Sequence, residues 1–206
     1  MLITISRQFG AGGAQVARRV ADALAWSVVD NELIGLVAER AGLSPEEVAK
    51  RDERVPSFVE RLARTLVVSS QEFALPQPDQ AALMPEPEIV KITEAVVREV
   101  AAQGRVVLVG RAASAVLSRR HDALHARVVA SPAWRAVQVA EREKIDAAAA
   151  EKRVDEMDAQ RARYHRQYYG RDWEDSVHYH IVLNTEMLGL GGAAEVLVAR
   201  ALALGW

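Results

Sequence analysis

The chain has 206 residues, half of them hydrophobic and 26% charged, with a formal net charge of −2. That length suits one domain with a proper core, and that charge gives no bulk electrostatic case for nucleic acid or an anionic membrane. The absence of cysteine excludes disulfides, thiolate zinc sites and a cysteine nucleophile.

The opening MLITISRQ carries a short apolar strand signal, Leu2 to Ile5. It lacks a charged segment followed by an apolar core, so it does not read as a secretory signal. No apolar run reaches the roughly 20 residues that span a bilayer, and a cytoplasmic protein is the expectation. The strand runs into SRQFGAGGAQ (6–15) and then a helical pattern over 12–25, with Val16, Val20 and Leu24 on one stripe. WSVVD (26–30) reads as a second strand ending on Asp30.

The stretch 31–104 is too long for a simple crossover. It carries helix signals near 31–41, 45–53 and 57–71, with Ser44 and Pro45 suited to an N-cap and a first helical residue. ALPQPDQAALMPEPE (74–88) gathers four of the seven prolines and predicts an extended loop without helix. A helix over 87–103 follows, with Ile89, Ile92, Val96 and Val100 in phase. RVVLVG (105–110), HARVVAS (125–131) and HIVLNT (180–185) complete the strands. Between the last two lies a polar, predicted helical stretch over 141–172, and a final helix over 192–204 packs Val196, Leu197 and Ala201 on one side. Continuous Val/Ile/Leu runs alternating with helices predict a doubly wound α/β fold with a parallel sheet.

A glycine-rich loop between strand and helix points to phosphate. In the usual phosphate loop, G-x-x-x-x-G-K-[ST], backbone amides and a lysine hold phosphate and a hydroxyl holds Mg²⁺. Placing its second glycine on Gly12 puts Arg7 at the first glycine, Gly13 at the lysine and Ala14 at the hydroxyl. The physics survives better than the pattern. Gly10, Gly12 and Gly13 permit the dihedrals that turn amides inward, and the helix from Gly13 aims its positive end at the loop. Arg7 is the candidate for the missing charge, and Ser6 is the nearest hydroxyl. Two rivals stay open on the loop alone. One is a dinucleotide fingerprint with Asp30 as its acid, although Gln15 occupies the third glycine position. The other is a turn that holds no ligand.

Arginines downstream bear on that choice. Arg111 follows a predicted central strand at its carboxyl end, where open α/β sheets bind ligands. Arg135 and Arg142 stand seven apart on one helix face, and Arg161, Arg163 and Arg166 follow. Arginines on a helical segment between two strands suit a phosphate-clamping lid.

The segments ITISRQFGAGGAQVARRVADAL, VVDNELI, VVLVGRAA, RVVASPAWRAVQVAERE and RARYHRQYYGRDW…HYHIVLNTEMLG run in order from residue 3 to residue 189. Together they resemble the cytidylate-kinase-like family of phosphate-loop proteins, relatives of the nucleoside monophosphate kinases. Members of this branch commonly carry S-R-x-x-G-[SA]-G-G, so a loop without lysine belongs to the branch. The resemblance implies a P-loop NTPase fold, with a five-stranded parallel sheet in order 2-3-1-4-5. It implies one domain over 1–206, with 31–104 clamping the acceptor and 132–157 closing as a lid.

It also implies ATP as donor, CMP or dCMP as acceptor, and Mg²⁺ with no protein ligand assigned. Ser6, Arg7, Gly10, Ala11, Gly12, Gly13, Ala14 and Gln15 would hold the donor phosphates. Asp30, Gly110, Arg111, Asp158 and Arg161 would engage the acceptor. Arg135 and Arg142 match lid positions, and with Arg7, Arg111 and Arg161 they form the charge-neutralising set. Two positions depart from the family: Ala112 replaces the aspartate of a Gly-Arg-Asp motif, and His180 stands where this branch has an aspartate. An alternative therefore stands beside the kinase, a nucleotide-binding regulator of the same fold with little or no turnover. The partner expected is a small nucleoside monophosphate, with neither nucleic acid nor membrane; the oligomeric state stays open.

Three smaller signals have simpler readings. His178 and His180 would share a strand face and suggest a metal pair, but no third ligand is evident, and polar surface is the better reading. Tyr164, Tyr168 and Tyr169 are expected to pack against the domain rather than stack on a base. Asn184 and Thr185 are expected to bond local backbone.

Overall fold

The computed structural model describes residues 1–30, 32–42, 44 and 86–206. The expected helices near 45–53 and 57–71, the Pro45 start and most of the proline-rich stretch lie outside the described residues. Among those described, the order is β1 (Leu2–Arg7), α1 (Gly13–Leu24), β2 (Ser27–Val29), α2 (Glu32–Ala41), α3 (Glu86–Gln103), β3 (Val106–Val109) and α4 (Ala113–Val116). Then come β4 (Ala123–Val129), α5 (Pro132–Glu143), α6 (Ala147–Tyr169), β5 (Ile181–Asn184) and α7 (Thr185–Ala203).

All strand pairs are parallel and the sheet order is β2-β3-β1-β4-β5, as the resemblance implies. β1 lies at the centre, pairing Leu2 with Val106 on one side and with Ala123 on the other. Strands buried on both faces need apolar side chains on both, which is why they read as continuous runs. Ile3, Ile5, Val107, Val109, Ala126 and Val128 pack under α1 and α7. Leu2, Val106, Leu108 and Ala123 pack on the opposite face, under α2 and α3. Leu2, Ile3 and Ile5 are fully buried, and each such side chain contributes roughly 1.5–3 kcal/mol. None of the described helices is long and apolar enough to cross a membrane.

Several boundaries differ from the sequence expectation for identifiable reasons. α3 begins at Glu86, so the proline-rich loop does not stay free of helix to residue 88. Pro87 sits in its first turn, where a missing N–H costs nothing. β4 ends at Val129 rather than 131, because Ser131 leaves the sheet to cap α5, accepting from the Trp134 N–H at 3.3 Å with Pro132 behind it. The stretch 141–172 is not one helix. α5 stops at a left-handed Lys144 (φ 55°), Asp146 caps α6 by accepting from the Ala149 N–H, and α6 stops at the left-handed Gly170. α7 starts at Thr185, seven residues before its expected start at 192, with a non-helical Gly189 joining two helical pieces.

Candidate functional site

The fold brings two strand-to-helix turns together at the carboxyl edge of the sheet, one after β1 and one after the neighbouring β3. In the first, Arg7 ends the strand and α1 starts at Gly13, capped by a left-handed Gly12 (φ 78°) with no side-chain cap. The amides at the start of α1 therefore remain available to an anion, with the helix dipole behind them.

Each glycine here answers a close approach. A Cβ on Gly10 would come within 2.8 Å of the Arg135 carbonyl oxygen, and one on Gly12 within 2.4 Å of Leu190 Cδ2. A Cβ on Gly13 would come within 2.6 Å of Arg7 Cβ and 2.9 Å of Arg7 Cγ. The Arg7 stem thus lies over the position that the ordinary motif gives to lysine.

The loop between is held from outside by side chains. The Phe9 N–H donates to Asp158 Oδ1 at 2.8 Å, and Arg135 Nη1 donates to the Phe9 carbonyl at 3.1 Å. Gln8 Oε1 accepts from the Ala130 N–H at 3.1 Å. Thr185 Oγ1 donates to the Ala11 carbonyl at 2.7 Å, so it reaches the loop rather than only local backbone. Asn184 behaves as expected, accepting from the Glu186 and Met187 amides.

The second turn places three successive residues in the left-handed region, Gly110 (φ 72°), Arg111 (φ 54°) and Ala112 (φ 48°). Such backbone in a non-glycine residue marks a position where the surroundings, rather than local preference, set the shape. Arg111 is buried, 6% exposed. Burial first, and then the neighbouring Arg7 charge, push its guanidinium down to about 9, with Arg161 adding to the push and Asp30 and Tyr164 opposing it. Arg7, Arg111 and Arg161 therefore share one electrostatic neighbourhood with Asp30. A small space of about 10 Å³ lies among Ser6, Arg7, Gly110, Ser114, Arg161 and Trp173.

The remaining expected residues divide. Arg135 and Asp158 are joined by a 2.6 Å ion pair turned toward Phe9. Arg142 is half exposed and stands 5.1 Å from the Phe9 ring centroid, while Arg153 and Arg161 stand at 5.9 and 5.6 Å. Ser6 points to the face opposite α1, where Trp173 Nε1 donates to its Oγ at 2.9 Å. Gly10, Gly12, Gln15 and Arg142 line an open groove of about 290 Å³ with Trp134 and Gln138. Ala11 is buried in the core beneath the loop, and Ala14 offers no polar group to it.

Residues that the sequence did not single out complete the setting. Arg127 lies 4.1 Å from the Trp173 ring and donates to the Trp173 carbonyl, bracing the indole that holds Ser6. Phe9 packs among Ala136, Val139, Ala150 and Val154 of α5 and α6. The dipeptide Asn184–Thr185 after an apolar strand was the signal for the Thr185 bond; nothing local announced Trp173.

The histidines do not form a strand pair. His178 lies in a 3₁₀ turn (Ser176–His178), and His180, just before β5, stacks on His125 at 5.0 Å. His180 Nδ1 accepts from the His125 backbone N–H, and burial, then the His180 charge, push His125 down to about 4. Among the described residues, no group of three His, Cys, Asp or Glu could hold a metal. The tyrosines pack as expected: Tyr164 is buried with Val90, Ala112 and Ala115, and Tyr168 and Tyr169 pack against it.

The model of the cytidylate kinase-like family matches residues 2–187, and the chain belongs to that family. No curated protein matches the chain. Among solved structures it is similar to an uncharacterized protein from Eubacterium ventriosum, at 21% identity and a TM-score of 0.68 over 98% of each chain. It is similar also to TT1252 from Thermus thermophilus, at 16% identity and a TM-score of 0.56 over 98% of this chain and 96% of that one. Shikimate kinase from Acinetobacter baumannii, in complex with shikimate, gives 12% identity and a TM-score of 0.54 over 98% and 93%. At these identities the likeness is one of fold.

Proposed function

We propose, with that family membership as premise, that the chain transfers a phosphoryl group from ATP to a nucleoside monophosphate, CMP or dCMP being the favoured acceptors. The observation that carries this reading is the Arg7 stem over Gly13, beside Arg111 and Arg161. Guanidinium groups gathered next to a helix N-terminus suit a polyanion, because a phosphate adds opposite charge where Arg7 and Arg161 already bear on the buried Arg111. In such transfers catalysis is positioning and charge neutralisation, so no side-chain nucleophile is required.

The roles follow from placement. Amides of the loop, with Gly12 and Gly13 at the head of α1, cradle the donor phosphates. Arg7 takes the task that lysine has in ordinary loops. Arg111, aimed by its left-handed turn, and Arg161 engage the acceptor phosphate, with Asp30 beside them. Residues 31–104 would form the acceptor side and 132–157 the lid, with the groove at Gln138 and Arg142 open to the rest of the donor. When bound, Mg²⁺ neutralises charge on the donor phosphates. Because Ala14 carries no hydroxyl, the ion would be held chiefly by those phosphates and water, with Asp30 a carboxylate whose charge acts on Arg111.

The absence of lysine at 13 and hydroxyl at 14 favours one second reading, a nucleotide-binding regulator that closes on ligand without turnover. One assay separates the two: purified protein, ATP, Mg²⁺ and a panel of nucleoside monophosphates, with ADP measured over an acceptor-free blank. Acceptor-dependent ADP, strongest with CMP or dCMP, supports the kinase. Tight ATP binding with no acceptor effect transfers the site to the regulator.

A further inference from the structure

We propose that Asp158 and Arg135 are positioning residues, a clasp that sets the shape of the glycine loop and makes the α5–α6 pair respond to what the loop holds. The response to ATP rests on the reading above; the clasp itself does not.

Asp158 lies on α6 and Arg135 on α5, yet both converge on one loop residue. Asp158 Oδ1 accepts from the Phe9 N–H at 2.8 Å and from Arg161 Nη1 at 3.1 Å, while Oδ2 accepts from Arg135 Nη1 at 2.6 Å. Arg135 closes the circuit, donating to the Phe9 carbonyl at 3.1 Å and, through Nε, to the Ala130 carbonyl at 3.1 Å. Both backbone polar groups of Phe9 are thus fixed by side chains from two different helices. The pair is sheltered, with side chains 5% and 13% exposed, so these charge-assisted bonds are little weakened by water.

Packing gives the same result independently. The Phe9 ring sits among Ala136, Val139, Ala150 and Val154, so a loop residue supplies part of the core shared by α5 and α6. Next to it, Gly10 lies so close to the Arg135 carbonyl that no Cβ fits. A loop that reshapes around phosphate therefore pulls on Arg135 in the first turn of α5 and on Asp158 midway along α6. With three hydrogen bonds already directed into the loop and its neighbours, Asp158 is placed to hold the loop rather than to read an acceptor.

Amide hydrogen exchange tests this in two steps. In ligand-free protein, Asp158→Ala is expected to speed exchange at the Phe9 amide by about tenfold or more, while the Ile5 and Val107 amides of the sheet stay as slow as in the wild type. Unchanged Phe9 exchange beside an intact sheet overturns the clasp. If Asp158→Ala does not fold, the near-isosteric Asp158→Asn serves, with a smaller rise expected at Phe9 and no change again the contrary result.

In the second step, ATP is expected to slow amides of the loop and of α5 and α6 in the wild type. In Asp158→Asn, loop protection should remain while the α5–α6 response falls by about half or more. A full α5–α6 response in that variant overturns the coupling. ATP that leaves the wild-type loop unchanged overturns the phosphate-loop reading and the coupling with it, whereas the ligand-free comparison still decides the clasp.

Discussion

The turns after β1 and β3 leave the same edge of the sheet and reach left-handed backbone in opposite ways. The first uses Gly10, where a Cβ would meet the Arg135 carbonyl, and Gly12, whose φ of 78° favours glycine. The second keeps one glycine, Gly110, and then holds Arg111 and Ala112 in the same region with their side chains. A left-handed residue with a Cβ costs about 1–2 kcal/mol. That cost is offset by burial, and the turn holds a guanidinium near enough to feel the Arg7 charge. On the proposed function, the first turn brings backbone to the donor and the second brings one side chain to the acceptor.

The largest effect expected from breaking this division comes from putting the ordinary lysine back. Gly13→Lys adds a Cβ where the Arg7 stem already lies, so turnover should fall by about 10²–10³-fold. Removing the stem as well, in the double variant R7G/G13K, should recover about tenfold or more of that loss. A double variant no better than G13K would mean that Arg7 and the lysine position are not alternatives.

Next comes the second turn. Arg111→Ala should weaken acceptor binding about 100-fold, roughly 2.7 kcal/mol, while ATP affinity changes by less than about threefold. Calorimetry with each ligand checks this, and equal losses for both would erase the distinction between the turns. The pH dependence has the same asymmetry. The group binds anions only when protonated and is held at about 9, so acceptor affinity should decline as pH rises through 9 and be flat between about 7 and 8, above the second ionisation of a phosphate monoester.

Two alanine–glycine exchanges set the lower end. Gly10→Ala meets both a left-handed φ and the Arg135 carbonyl, and should cost about 2–4 kcal/mol in denaturant unfolding. Ala112→Gly relieves about 1 kcal/mol of strain but loses a buried methyl worth a similar amount. Its stability should stay within about 0.5 kcal/mol of the wild type.

The contrast also explains what could be read in advance. Strands such as Val106–Val109 are legible because a doubly covered parallel strand must be apolar throughout, and α1 because its buried stripe repeats at helical spacing. Gly10, Gly12 and Gly13 were legible because glycine is itself the signal of close approach. Arg111 and Ala112 gave no such signal, since neither residue type advertises left-handed backbone. Asp158 was carried by resemblance toward the acceptor, whereas its contact with Phe9 joins residues 149 apart in sequence. Only packing of α5 against α6 creates that contact. The break at Lys144 was masked because lysine is a good helix former, and Asp146, the cap of the next helix, was the one local signal of a new start.

The central claim is that Arg7 supplies the charge that this loop lacks, and its most direct test is a calorimetric titration of ATP into wild-type protein and Arg7→Ala. The account predicts measurable ATP binding by the wild type and a loss of about tenfold or more in the variant, with the fold intact by circular dichroism. Equal ATP affinities in the two proteins would contradict it.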